Sequence, residues 1–217
     1  MSTAEGSAKE HMDQIYRYQR YIYDLSRKFY LLGRDKLIRE LDAPAGTSVL
    51  EIGCGTGRNL IQAAKKFPDA EFYGVDVSTA MLETAANSLK RTKLTDRVKL
   101  SYADATQFDG QETFGIPQYD RVFISYALTM IPPWKEVLDR SLACVAPGGS
   151  LHIVDFGQQQ KLPRWFRAVL YAWLRQFSVY PQAEMPGEME RVAEKYGAQL
   201  KFESLYGGYA EYAILKR

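Results

Sequence analysis

The chain has 217 residues, enough for one domain of ordinary size, and 46% of them are hydrophobic, enough for a real core. Its net charge of +2 excludes the global basic field that would by itself draw nucleic acid. Two cysteines, Cys54 and Cys144, supply neither a disulfide framework nor a zinc spacing, and with only two histidines no metal site is expected.

The first dozen residues have no apolar stretch of the signal-peptide kind, and no uncharged run reaches the roughly 18 residues needed to span a bilayer, so a cytoplasmic protein is expected. From about residue 12 to 41 the pattern is helical, broken near Leu32-Gly33, with an unusual density of tyrosine. Apolar runs then alternate with helical stretches. Strands are expected at 48–52, 71–75, 98–102, 120–125 and 150–155. Helices are expected at 58–66, 79–90 and 133–145, with a polar loop reaching residue 118 and a turn at Pro147-Gly148-Gly149. This alternation predicts an α/β fold with a parallel sheet covered by helices on both faces. Two further alternating runs, 201–205 and 209–215, flank Gly207-Gly208 and predict an antiparallel hairpin at the C-terminal side. His152 falls in an apolar strand and reads as a core residue, not a base.

One stretch carries most of the information. Residues 49–57 read VLEIGCGTG: an apolar strand runs into a glycine-rich turn that opens a helix. Such turns sit at the carboxyl ends of parallel strands, where ligands bind, and glycine lets backbone approach the ligand closely. The dinucleotide fingerprint G-x-G-x-x-G would need glycine at 58, where Arg58 stands.

The pattern that does stand here, E-x-G-x-G-x-G, resembles motif I of the class I S-adenosylmethionine-dependent methyltransferases. That resemblance implies a single domain over residues 1–217, with a seven-stranded, mainly parallel sheet and the antiparallel terminal hairpin. It makes S-adenosylmethionine the cofactor. Glu51, Gly53, Cys54, Gly55, Gly57 and Asn59 would form the glycine loop, and Asp76 would bond the ribose hydroxyls with Val77 beside it. Met81 would pack near the adenine, Asp104 and Ala105 would receive its amino group, and Ser125 would lie beside the transferable methyl. Ile131-Pro132-Pro133-Trp134 superficially resembles the [DN]-P-P-[YF] motif of amino-methyltransferases. It lacks the leading acid or amide and lies past the strand end, so it reads as a helix start.

Two segments bear on the acceptor. In the helical region at 10–41, Tyr23, Arg27 and Tyr30 fall on one helical face. They either pack the helix onto the sheet or form a lid in which tyrosines hold an alkylammonium and Arg27 or Arg34 a carboxylate. In 158–182, Trp165, Val169, Trp173 and Phe177 repeat every four residues, bordered by Arg164, Arg167 and Arg175. Residues 158–183 hold four cations and no acid, which leaves the rest of the chain at −2. A tryptophan-rich face with a cationic border is the pattern of a helix lying in a bilayer interface, although packing on the sheet or a second subunit would use the same residues.

These features together resemble the bacterial diacylglyceryl-homoserine N-methyltransferases of betaine-lipid synthesis, on residues 15–17 through 33–35, on 51–59, and on Val154-Asp155-Phe156-Gly157 with Leu162-Pro163-Arg164-Trp165-Phe166-Arg167. The resemblance implies an amine-bearing lipid substrate and transient contact with an anionic membrane at its inner face, with no nucleic acid partner. Tyr23, Arg27 and Tyr126 become the catalytic candidates, and Tyr30, Arg34, Trp165 and Trp173 the substrate contacts. Phosphatidylethanolamine or a quinone precursor would equally explain the amphipathic segment, and a non-catalytic S-adenosylmethionine-binding membrane module remains a rival of another class.

Overall fold

The computed structural model describes residues 31–176 and 179–217. Tyr23, Arg27, Tyr30 and Phe177, and most of the expected lid, lie outside the described residues. Within residues 33–217 the elements in chain order begin with α1 (Arg34–Glu40), β1 (Ser48–Ile52), α2 (Arg58–Lys66), β2 (Glu71–Asp76) and α3 (Thr79–Thr92). There follow β3 (Val98–Tyr102), α4 (Gly110–Phe114), β4 (Tyr119–Ser125), α5 (Trp134–Ala143) and β5 (Val145–Phe156). The last are α6 (Arg164–Arg175), α7 (Met185–Tyr196), β6 (Gln199–Leu205) and β7 (Ala210–Lys216).

The seven strands form one sheet in the order β3-β2-β1-β4-β5-β7-β6. The first five run parallel, and β7 is antiparallel to both β5 and β6. The chain winds outward from β1 to β3, then returns to place β4 on the other side of β1. Connections thus diverge between β1 and β4, which opens a crevice at the carboxyl ends of those strands.

Period-two alternation sorts the strands into two buried faces. Leu50 and Ile52 of β1, Val122 and Ile124 of β4, and Leu151 and Ile153 of β5 share a core with Val137, Leu138 and Leu142 of α5. Met185, Met189 and Val192 of α7 complete it. On the other face Leu60, Ala63 and Ala64 of α2 and Leu37 and Ile38 of α1 are buried. His152 is a core residue there: its ring nitrogens lie 2.8 Å from the Ser150 hydroxyl and 3.3 Å from the Tyr212 hydroxyl. Burial pushes it down to about 3, so it stays neutral.

Three elements differ from the sequence expectation. The loop before β4 contains α4, because the Asp109 carboxylate caps it by accepting the Gln111 and Glu112 N–H groups at 2.8 and 3.0 Å. Pro147-Gly148-Gly149 is not a turn but an irregular stretch inside β5, where pairing with β4 slips between Tyr119 and Arg121. Gly149 must be glycine there, since a Cβ would come within 2.6 Å of the Asp120 carbonyl oxygen. The helix α7 was not expected at all, although Met185, Met189, Val192 and Ala193 form its buried stripe at helical spacing.

The candidate cofactor and acceptor site

The glycine loop joins β1 to α2. Gly53, Gly55 and Gly57 have φ of 71°, 53° and 74°, a region that other residues enter only with strain. At Gly53 space also forbids a side chain, because a Cβ would lie 2.6 Å from that of Ala127. The loop is anchored from β2: the Val75 carbonyl accepts the Gly53 and Cys54 N–H groups, both at 2.9 Å. Asp76 closes it from the other side, its carboxylate accepting the Gly55 N–H at 2.8 Å and the Ser78 N–H at 2.9 Å. Glycine appears inside β2 for a related reason, since a Cβ on Gly74 would strike Leu60 at 2.5 Å and Cys54 at 3.1 Å.

The fold brings the expected cofactor residues to this one edge. Val77 and Asp104 are exposed and Met81 and Ala105 half-buried, just past the ends of β2 and β3. Asp104 is shaped by its own turn: the Thr106 N–H and hydroxyl donate to it at 2.9 and 2.7 Å and hold its carboxyl below the ordinary range. Cys54 and Cys144 are both buried, free thiols, and burial raises the Cys54 thiol well above its usual range.

Buried polar atoms without a hydrogen-bond partner gather at this edge: Oε2 of Glu51, Nη1 of Arg58, Oδ1 of Asn59 and Oγ of Ser125. Buried polar groups are almost always satisfied, so such orphans in a glycine-lined crevice fit a polar ligand that completes them. The donor set and the cradle therefore suit S-adenosylmethionine. The other oxygen of Glu51 accepts the Asn59 amide at 2.8 Å. Burial outweighs that bond and the nearby Arg34 charge, and the carboxyl is pushed up to about 8.

Arg34 was expected to meet the acceptor. It is buried at the start of α1, and its charge acts on Glu51 and Tyr126. Tyr126 follows β4 with φ of 55° and packs edge-on against Phe156, ring centres 4.7 Å apart. Burial holds its hydroxyl well above the ordinary range, so it keeps its proton at neutral pH and serves as a wall or a donor, not as a base.

Sequence reasoning missed a second group beside Tyr126. Asp155 and Glu211, paired across β5 and β7, are both buried, and Tyr209 stacks edge-on against Phe156 at 5.9 Å. Above them, Tyr171 of α6 donates its hydroxyl to the Gln158 side chain at 3.2 Å. The segment V-D-F-G-Q-Q was a signal, since an acid at the end of an apolar strand has to be buried or bound.

Residues 50–151 match the family described as a methyltransferase domain. A demethylmenaquinone methyltransferase of Listeria monocytogenes is 27% identical over 200 residues, covering 82% of this chain and 80% of that one. Phosphoethanolamine N-methyltransferase 2 of Haemonchus contortus, solved in complex with S-adenosylmethionine, superposes with a TM-score of 0.63 at 25% identity. That match covers 79% of this chain and 38% of the worm protein, so the chain spans about two fifths of its length. The chain is an S-adenosylmethionine-dependent methyltransferase with the class I fold. A putative methyltransferase of Haloferax volcanii, solved with the Trm112 activator, shares the fold with a TM-score of 0.69 over 89% of this methyltransferase, at 13% identity.

Buried acids give the methyltransferase an unusual stability profile. Glu51 and Glu211 are raised from 4.5 to about 8 and about 7, and Asp155 from 3.8 to about 6. Each binds its proton more tightly folded than unfolded. Their stabilisation is thus complete below their unfolded values and is lost as pH rises through the folded ones. His152, lowered from 6.5 to about 3, acts in the opposite sense, costing stability only as pH falls below its unfolded value. The unliganded protein is therefore expected to lose on the order of 2 kcal/mol between pH 6 and pH 8.5, read as a falling Tm. Glu51→Gln should flatten most of that slope. A Tm that rises with pH over this window would contradict the burial of these acids.

Proposed function

We propose that this methyltransferase acts on a lipid presented at a membrane surface, and that its acceptor is a head-group amine such as that of diacylglyceryl-homoserine, which three transfers turn into a betaine. The observation that carries this reading is α6. Its packing face is Phe166, Leu170 and Leu174, while Trp165 and Val169 stand 71% and 64% exposed and Trp173 is half-buried. The exposed Arg164, Arg167 and Arg175 border that stripe. A helix with apolar side chains turned outward and arginines at its rim gains from an anionic bilayer, at about 1 kcal/mol for each arginine near the surface. Among the described residues no helix is long and apolar enough to cross a membrane, so contact through α6 would be peripheral, at the cytoplasmic face.

α6 follows β5 in the chain, and its Tyr171 reaches back to the Gln158 side chain just past the end of that strand, which would bring α6 to the acceptor side of the crevice. Gly53, Gly55, Asp76, Glu51 and Ser125 would hold S-adenosylmethionine, which when bound supplies an electrophilic methyl group. The chain itself positions the nucleophile, and in-line methyl transfer asks for little more. Ser125 and Tyr126 end β4 between the glycine loop and β5, so they border both halves of the site.

A quinone ring is the second reading, favoured by the relative named demethylmenaquinone methyltransferase, which matches across most of both chains. Labelled S-adenosylmethionine offered with vesicles of diacylglyceryl-homoserine, phosphatidylethanolamine or demethylmenaquinone separates the readings after thin-layer chromatography. Label in the homoserine lipid is expected. Label confined to the quinone would overturn the amine reading. The membrane contact has its own test in Trp165→Glu/Val169→Glu, which alters two exposed positions and spares the packing face. Flotation with anionic vesicles should be lost and turnover on vesicle substrate should fall about tenfold, with affinity for S-adenosylmethionine unchanged. A double variant that still floats and turns over would reduce α6 to scaffold.

A further inference from the structure

Asp155 and Glu211 face each other across the antiparallel register of β5 and β7, at the strand ends beyond β4. Their surroundings differ sharply. Asp155 is saturated: it accepts from the Thr129 N–H at 3.1 Å, the Thr129 hydroxyl at 2.7 Å and the Phe156 N–H at 2.8 Å. Glu211 is only 4% exposed, yet its Oε2 has no hydrogen-bond partner. Burial and the neighbouring Asp155 together push its carboxyl up to about 7. A buried acid left without a donor is costly, and one placed beside a second acid is costlier still.

The environment is shaped for a ligand. A Cβ on Gly157 would strike the Gly208 carbonyl oxygen and would also meet the Cγ of Glu211 at 3.1 Å, so the backbone stays bare beside this side chain. Tyr126, Phe156 and Tyr209 form a row of rings at 4.7 and 5.9 Å. Tyr171 approaches from α6 within the electrostatic reach of Glu211 and of Arg167. The side-chain amide nitrogen of Gln158 and the side-chain oxygen of Gln159 are also buried without partners. Three unsatisfied polar groups in one aromatic-walled corner point to a polar occupant, and two acids give that occupant its sign.

We infer that the Glu211 carboxylate, backed by Asp155 and walled by Tyr126, Phe156 and Tyr209, receives the cationic nitrogen of the acceptor. This rests on the amine reading above; a quinone ring would bring no positive charge to two buried acids. The same carboxylate is the proton acceptor for each transfer. An ammonium N–H passes its proton to Oε2, leaving a neutral carboxyl and an amine whose lone pair forms the new N–CH3 bond. The methyl–sulfur bond breaks with its electron pair on sulfur, and the positive charge ends on the methylated nitrogen. Aromatic walls suit such a site because cation–π attraction persists after every N–H has been replaced.

The test begins with the wild type and diacylglyceryl-homoserine in detergent micelles. A complete lack of labelled amine lipid would remove the amine reading and this inference together. Where the amine is methylated, Glu211→Gln is expected to lower kcat/KM for it by roughly 30-fold, with the Kd for S-adenosylmethionine within twofold of wild type. Glu211→Asp should recover part of the loss. A folded Glu211→Gln enzyme with unchanged kcat/KM would overturn the inference while leaving the amine reading intact. A binding measurement on the wild type covers a variant that fails to fold. With S-adenosylhomocysteine present, calorimetry compares dihexanoylglyceryl-trimethylhomoserine with its neutral isostere, in which a carbon replaces the quaternary nitrogen. The charged ligand is expected to bind about tenfold tighter, and equal affinities would overturn the assignment.

Discussion

Asp76→Ala is expected to raise the Kd for S-adenosylmethionine by roughly 100-fold, about 2.7 kcal/mol. The carboxylate is the meeting point of two segments, since it accepts the Gly55 N–H of the glycine loop and the Ser78 N–H at the start of α3. Hydrogen bonds to a charged group contribute about 1.5–3 kcal/mol each, so the variant loses loop anchoring as well as any contact with the ribose. Asp76→Asn keeps one acceptor oxygen and should lose only about tenfold. Calorimetry with S-adenosylmethionine and a parallel Tm measurement separate binding from folding. An alanine variant that binds within threefold of wild type would remove Asp76 from the cofactor site.

Gly53→Ala should be as damaging by a different route. Its φ of 71° costs an alanine roughly 1–2 kcal/mol. The added Cβ would come within 2.6 Å of the Ala127 Cβ, and overpacking of that kind costs roughly 1–3 kcal/mol more. The loop cannot retreat easily, because the Val75 carbonyl holds the Gly53 and Cys54 N–H groups. The expected result is a loss of roughly 2–5 kcal/mol of stability and of measurable S-adenosylmethionine binding. The second substitution in Gly53→Ala/Ala127→Gly removes the clash but not the backbone strain, so it should return about half of the stability. A single variant with wild-type Tm and Kd would show that the crevice has room that the geometry denies it.

Much of this architecture was legible in the chain. The parallel strands declared themselves through apolar runs of strand length, and the terminal hairpin through Gly207-Gly208. The glycine loop declared itself because only backbone crowding and positive φ demand glycine three times in five residues. What stayed hidden depended on partners distant in sequence. Nothing local singles out Glu211 within its alternating run, and only the pairing of β7 with β5 puts it beside Asp155 in the interior. Pro147-Gly148-Gly149 read as a turn because local chemistry favours one. Instead Arg217 pairs with Gly148 and Gly149 through the backbone and keeps that stretch extended. For α6 the sequence set out the stripe of Trp165, Val169 and Trp173 but left open whether it packs or faces outward, and only tertiary contact tells exposed Trp165 and Val169 from buried Leu170 and Leu174.

The place of β7 in the sheet has a consequence for how the chain is made. β5 lies between β4 and β7, and residues 157–209 separate it from β7 in the chain. During synthesis β1, β2 and β3 can pair as each strand emerges while β1 stays open on its other side until β4 arrives, and β5 in turn waits with a bare apolar edge until that whole segment has been added. An open edge of this length is a template for pairing with another chain. Slowing translation between residues 157 and 209 should therefore increase aggregation of the nascent protein.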